Sequence, residues 1–330
     1  MLPINLLGET VKPGISVITA VKNRREAFEE ALPTWLAQPA IDEIVVVDWD
    51  SDQSLLPLIG KYQDGRILLA TVTGQPKWIL SNAFNLAARL CSNSLMLKLD
   101  ADVKLQSGFF EKHKPGDDRF FCGNWRIRRN PNELHLNGII FLQRAAFFRV
   151  NGYNEFIKFY GWDDSDLYQR LELSGLSRAD FDLDTLYHIP HGERTLFQEI
   201  PGNLKHIPED EKAGFATFLN RCIGNNYGRW TPACSMMEFR ISRQPEHLIS
   251  CTAAGRELNL ISPEVLAECE KVAIRERLLL TGAEIPGHIL DRLSLEELFS
   301  LYNLFFQGDG EQRAATIRDF LLQKGTDTFE

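Results

Sequence analysis

The chain has 330 residues, 44% of them hydrophobic and 25% charged, with a net charge of -9. That length holds one large domain with a smaller one, or two ordinary domains. The acidic balance excludes a nucleic-acid binder that works through a broad basic face, and phosphate recognition by such a chain needs local help from a metal or clustered Arg and Lys. The six cysteines show no C-x-x-C spacing and read as buried, reduced thiols. The first residues lack the basic and apolar segments of a signal peptide, and no apolar run approaches the roughly 18 residues of a membrane span. The sequence therefore reads as a cytoplasmic protein without a membrane span.

In chain order, the β-prone run Gly14 to Val21 predicts a strand covered on both faces, ending in a polar turn at Lys22 to Arg25. A helix follows from about Arg24 to Gln38, with Phe28, Leu32, Trp35 and Leu36 on one side and Pro33 as a kink. Asp42 to Ser51 is a second buried strand ending in carboxylates, Ile67 to Val72 a third, and Ile79 to Cys91 a second amphipathic helix. Ser94 to Leu99 alternates as a strand and stops at Asp100 and Asp102. The order β-α-β-β-α-β predicts a mostly parallel sheet with helices on both faces.

Two carboxylates one residue apart at the carboxyl end of a strand can face one point outside the sheet, where open α/β sheets bind ligands. Such an oxygen pair suits Mg²⁺ or Mn²⁺, which take phosphate oxygens in turn; the plainer reading of Asp-Ala-Asp is a solvated turn.

Beyond residue 120, Trp125 to Pro131 reads as a basic loop, and Asn137 to Leu142 as a strand leading into a helix around Ala145. Asn151 to Trp162 is a glycine- and aromatic-rich loop. It runs into the stretch Asp163 to Gly175, an amphipathic helix with acids at its N-terminus and the glycine past its end. The macrodipole favours acids there, so Asp163, Asp164 and Asp166 also fit plain capping. From about 241 helical signals dominate: Ser262-Pro263 opens a helix reaching Thr281, Ser294 to Glu297 is a capping box, and Asp309 to Gln312 resembles another start.

Three segments together resemble the GT-A fold glycosyltransferases of the family 2 type. Ile15 to Arg24 resembles their first strand and nucleotide loop, Glu43 to Ser51 their acidic, serine-containing turn near the base, and Leu97 to Asp102 their D-x-D motif. Val150 to Glu155 with Gly161 to Leu171 is similar to β-1,4-galactosyltransferases and bacterial chondroitin-polymerase modules. There a Gly-Trp-Gly-Gly-Glu-Asp segment provides the acceptor pocket and the catalytic base; the present chain lacks the Gly-Gly after Trp162. The resemblance spans roughly residues 14 to 195.

It implies a Rossmann-like GT-A domain over 1–240, with a nucleotide-sugar half at about 14–105 and an acceptor half at about 106–240, followed by a helical region over 241–330. It implies metal-dependent, inverting transfer from a UDP-sugar to a carbohydrate or glycoconjugate hydroxyl. By the same resemblance Asp100, Asp102 and His188 hold Mn²⁺ (or Mg²⁺), His188 matching the family position better than His191. Ala20, Lys22, Asn23, Asp48, Asp50, Lys77, Asp100 and Ala101 surround the donor, with Asn85 a further candidate there. Trp162 and Asp163 contact the acceptor and Asp164 is the general base; the reverse assignment, with Asp163 as base and Asp164 capping the helix, stays open. The remaining alternatives are a non-catalytic nucleotide-sugar binding protein and a sugar nucleotidyltransferase. The sequence names neither the sugar nor the oligomeric state.

Overall fold

The computed structural model describes residues 4–190, 207–208, 211–244, 248–255, 259–280, 285, 287–307, 317 and 319–320. The strands are β1 (Lys12–Val21), β2 (Glu43–Trp49), β3 (Ile67–Thr73), β4 (Asn93–Lys98), β5 (Val103–Leu105), β6 (Arg119–Cys122), β7 (Ile140–Gln143), β8 (Ser177–Asp180), β9 (Leu186–His188), β10 (Phe239–Gln244) and β11 (Leu248–Ala253). The helices are α1 (Arg25–Leu36), α2 (Leu56–Ile59), α3 (Leu80–Leu90), α4 (Phe109–Lys112), α5 (Arg144–Arg149), α6 (Asp163–Leu173), α7 (Lys212–Cys222), α8 (Pro263–Leu280), α9 (Gly287–Leu290) and α10 (Leu295–Gln307). The chain forms two compact units, the first made of 1–155, 163–193 and 230–258, the second of 156–162, 194–229 and 259–330.

The first unit is built on a nine-stranded sheet of order β10-β11-β3-β2-β1-β4-β7-β6-β8. The five strands from β11 to β4 run parallel; β10 and β7 are antiparallel to their neighbours. Apolar residues of each central strand alternate between two cores, which is why the strands read as unbroken hydrophobic runs. Ile18, Val45, Val47 and Met96 pack with Ala83, Phe84 and Ala87 of α3 on one face. Val17, Ile44, Val46 and Leu97 pack with Phe28, Leu32 and Trp35 of α1 on the other. Each such side chain contributes about 1.5–3 kcal/mol on full burial. Pro33 is accommodated inside α1 as expected. The one addition to the expected order over 14–99 is the single turn α2, between β2 and β3.

The boundary expected at 241 differs from the observed course. Phe239–Gln244 and Leu248–Ala253 form an antiparallel pair, and β11 extends the sheet in parallel beside β3. Two-residue alternation in Phe239-Arg-Ile-Ser-Arg carries the strand signal, which the helical composition further on obscures.

The second unit has its own core, in which Phe215 and Leu219 of α7, Ile274 of α8 and Leu298 and Tyr302 of α10 are buried together. The capping box forms as expected: Ser294 N donates to Glu297 Oε2 at 2.9 Å and Glu297 N to Ser294 Oγ at 3.2 Å. Asn220 of α7 donates to the carbonyls of Phe159, Tyr160 and Gly161, fixing that loop. The helix start expected at Asp309 lies outside the described residues.

Candidate active site

Strand order reverses direction around β1: β2 and β3 lie to one side and β4 to the other. The crevice at the carboxyl ends of β1 and β4 is thus the sheet's switch point, the place where open α/β folds bind ligands. It collects Ala20 to Asn23, which end β1, and Asp100 to Asp102, which follow β4.

On the β1 side the residues mostly hold one another. Lys22 Nζ donates to the carbonyls of Trp49, Asp50 and Gln75 at 3.2, 2.8 and 3.3 Å, tying three segments together. Asn23, in left-handed backbone (φ 54°), exchanges hydrogen bonds with Asp52: Asn23 Nδ2 donates to Asp52 Oδ2 and Asp52 N to Asn23 Oδ1. Asp48 is buried, and its oxygens accept from the Ser51 and Leu55 amides at 3.3 and 3.1 Å, which shapes the turn. Asp50, half-buried with φ 51°, accepts from Gln75 N at 2.8 Å. Lys77 is exposed, and its carbonyl accepts from the Trp49 indole. Asn85 is turned inward, bonded both ways to the Tyr153 backbone and to Glu155 Oε1, so it supports the 153–155 turn.

Past β4, the strand pair β5–β9 sets Val103 opposite His188. Asp102 and His188 are both buried, with His188 Nε2 3.7 Å from Asp102 Oδ2. The Asn132 amide oxygen lies 2.7 Å from His188 Nδ1, and Nε2 faces the Asp102 carboxylate. An imidazole held by a neighbouring amide beside a carboxylate is a donor set that suits a borderline divalent cation such as Mn²⁺. Among the described residues, no group of three or more His, Cys, Asp or Glu side chains gathers for a metal. Asp100, expected as the third ligand, instead receives Lys98 Nζ on Oδ1 at 2.9 Å. His191 lies outside the described residues.

Lys98 was not foreseen as a site residue. It is 1% exposed, donates to Gly138 O at 2.7 Å, lies over the Phe84 ring and stands 3.7 Å from Asp164 Oδ1. Burial opposes its charge, but Asp100 and Asp164 outweigh that and hold its pKa above the ordinary value. The available signal was a lysine inside the otherwise apolar strand Leu95-Met-Leu-Lys-Leu99, since lysine is almost never fully buried unless paired.

Asp164, in the first turn of α6, accepts a hydrogen bond from the Tyr153 hydroxyl at 3.1 Å. Burial raises its pKa, with Lys98 pulling down and Asp100 pushing up. Asp163 is buried and caps locally, accepting from Asp164 N at 3.1 Å; burial and the adjacent Asp164 push its carboxyl up to about 8. Asp166 pairs with Arg170 of its own helix and accepts from Asn154, a structural role. The Tyr168 hydroxyl lies 2.8 Å from the Asn137 carbonyl and 3.1 Å from that of Ile139, its one proton bridging the two, and so fixes the turn bearing Gly138. Trp162, in the second unit, has left-handed backbone (φ 68°), and the Arg221 guanidinium lies 5.7 Å above its ring.

A mostly parallel sheet with acidic residues at its switch point offers a ligand-binding edge, and family comparison gives the class. The sequence matches the model for glycosyl transferase family 2 over residues 16–149 and that for the N-terminal domain of galactosyltransferase over residues 120–192. The chain is a glycosyltransferase on a mostly parallel α/β sheet, resembling the family 2 type over residues 16–149 and galactosyltransferases over residues 120–192. No curated protein matches it.

Similar solved structures include the catalytic domain of Drosophila β-1,4-galactosyltransferase 7 in complex with xylobiose, at 12% identity and TM-score 0.49, covering 74% of this chain and 96% of that one. A mutant of the Drosophila enzyme in complex with manganese, UDP-Gal and xylobiose follows at 11% identity and TM-score 0.48, with the same coverage of 74% and 96%. GalNAc-T7 with UDP, GalNAc and Mn²⁺ is 12% identical with TM-score 0.45, over 65% of this chain and 52% of that one.

Proposed function

We propose that the chain transfers a sugar from a UDP-sugar to a hydroxyl of a glycan, glycolipid or glycoprotein with inversion at the anomeric carbon. The observation that carries this reading is the arrangement along one short stretch: Asp102 beside His188 on one side, and Asp100 linked through Lys98 to Asp164 on the other. Asp102 and His188 would hold the divalent metal, with Asp100 near the donor. When bound, the metal supplies positive charge against the departing diphosphate.

Ala20, Asn23, Asp50 and Ala101 border the crevice as donor contacts, and Lys22 organises their backbone rather than touching phosphate. Asp164 takes the proton from the acceptor hydroxyl while that oxygen bonds to the anomeric carbon and the bond to UDP breaks. Its place beside Lys98 and Tyr153 favours it as base, and Asp163 serves by shaping the helix start and contacting the acceptor. No described helix is long and apolar enough to cross a membrane.

The test is a Mn²⁺-dependent hydrolysis screen of nucleotide sugars, which needs no acceptor, followed by Asp164→Asn. The variant should lose about 10²- to 10⁴-fold in transfer, the scale of a general base, while UDP binding survives. Transfer near wild type would remove Asp164 from the role. Absence of both turnover and metal-linked binding with every donor would reduce the site to a non-catalytic one.

A further inference from the structure

We propose that Lys98 is the positioning residue of this site: one ammonium, fixed in the sheet, holds Asp100 on the donor side and Asp164 on the base side in a single orientation. The inference rests on Asp164 acting as the general base.

Lys98 is the last residue of β4, and its backbone is paired on both sides, with Ile18 of β1 and with Ile140 of β7. Its head group therefore has little freedom relative to the sheet. Nζ has three protons. Two go to Asp100 Oδ1 at 2.9 Å and Gly138 O at 2.7 Å, and the remaining direction faces Asp164 Oδ1 at 3.7 Å. The Phe84 ring, 4.5 Å away, closes the apolar side and excludes water. Asp164 Oδ1 is further anchored by Tyr153, which leaves Oδ2 to meet a hydroxyl.

Gly138 completes the arrangement by what it lacks. A Cβ built there would lie 2.9 Å from Lys98 Nζ, 3.0 Å from Asp100 Oδ2 and 3.0 Å from Asp164 Oδ2. The three charged groups thus surround the volume of one methyl, kept free by glycine. A lysine whose task was only to neutralise buried acid would need neither the second carboxylate nor that space.

The experiment is a double-mutant cycle on full-length protein with steady-state kinetics and thermal melting. Lys98→Met should lower kcat by about 10²-fold, through the loss of Asp164's orientation in the transition state, and raise donor KM as Asp100 loses its partner. In the Asp164→Asn background the same change should cost less than about 3-fold, since groups acting as a unit are not additive. A full, additive loss in that background would overturn the inference, and so would a loss appearing only in donor KM. Asp164→Asn alone tests the base assignment, so the two ideas fail separately. Should Lys98→Met not fold, Gly138→Ala retains every charge and inserts only the methyl. It should melt near wild type while losing at least about 10-fold in kcat, and wild-type kcat in that variant would also overturn the inference.

Discussion

Val103 and His188 face each other across β5 and β9, and this one register places the His188 imidazole 3.7 Å from the Asp102 carboxylate. Asp102 and His188, 86 positions apart in sequence, meet because a three-residue strand doubles back beside the acidic turn. The Ile189 amide reinforces the register by donating to Asp102 O at 2.7 Å.

The pair predicts a graded response in metal binding. His188→Ala or Asp102→Ala should abolish Mn²⁺-dependent UDP binding in calorimetry. Asn132→Ala, which frees His188 Nδ1 without removing a donor to metal, should weaken Mn²⁺ about 10- to 100-fold, the usual effect of losing a partner behind a ligand. Unchanged affinity in Asn132→Ala would mean the ring is held by other contacts.

Asp163 sets a stability slope. Its carboxyl has an ordinary pKa of 3.8 and is pushed up to about 8 in the fold. Between those values the folded chain keeps a proton that the unfolded chain has released, so stability falls as pH rises through this window. Asp163→Asn should flatten that slope and raise the melting temperature most at pH 8 and above. Identical slopes in wild type and variant would contradict it.

His113 acts at the other end of the scale. It is buried among Phe109, Phe121 and Phe181, with Nδ1 2.8 Å from Phe109 O and Nε2 accepting from Asp182 N at 2.9 Å. Both contacts suit the neutral ring, and burial lowers its pKa below 6.5. The unfolded chain takes up the proton first, so His113 stabilises fully above 6.5 and that contribution is lost as pH falls through its lowered folded value. His113→Gln should lower the melting temperature at pH 8 and show a weaker acid decline below pH 6.5.

The capping box of the second unit gives a local measure. Ser294→Ala removes the Oγ acceptor for Glu297 N and should destabilise α10 by about 1 kcal/mol, read as a lowered melting temperature with donor hydrolysis unchanged. Loss of hydrolysis would show that α10 reaches the chemistry.

Local sequence carried most of the first unit's framework. The unbroken apolar runs at Gly14 to Val21 and Asp42 to Ser51 are legible because each strand is buried on both faces, and α6 announces itself by its acids and by Gly175. The capping box at Ser294 was readable for the same reason: its two hydrogen bonds span three residues. The β10–β11 pair was harder, since short strands at a sheet edge owe their formation to β3, a partner more than 170 residues earlier.

Within the site, residue types and spacing were enough to bring forward Asp100, Asp102, Asp163 and Asp164, because carboxylates at a strand end and at a helix start are written in adjacent residues, whereas His188 was implied only by the family resemblance. Which atoms meet was decided only by tertiary structure. Asp48 accepts from the amides of its own turn, Asn85 turns inward, and Asp100 receives the Lys98 ammonium. The reason is that a buried charge must be matched by whatever the sheet and its loops bring within about 4 Å, and strand order determines that company. Lys98 shows it most plainly: in sequence it is one polar residue in an apolar strand, and in the fold it is the cation that two carboxylates share.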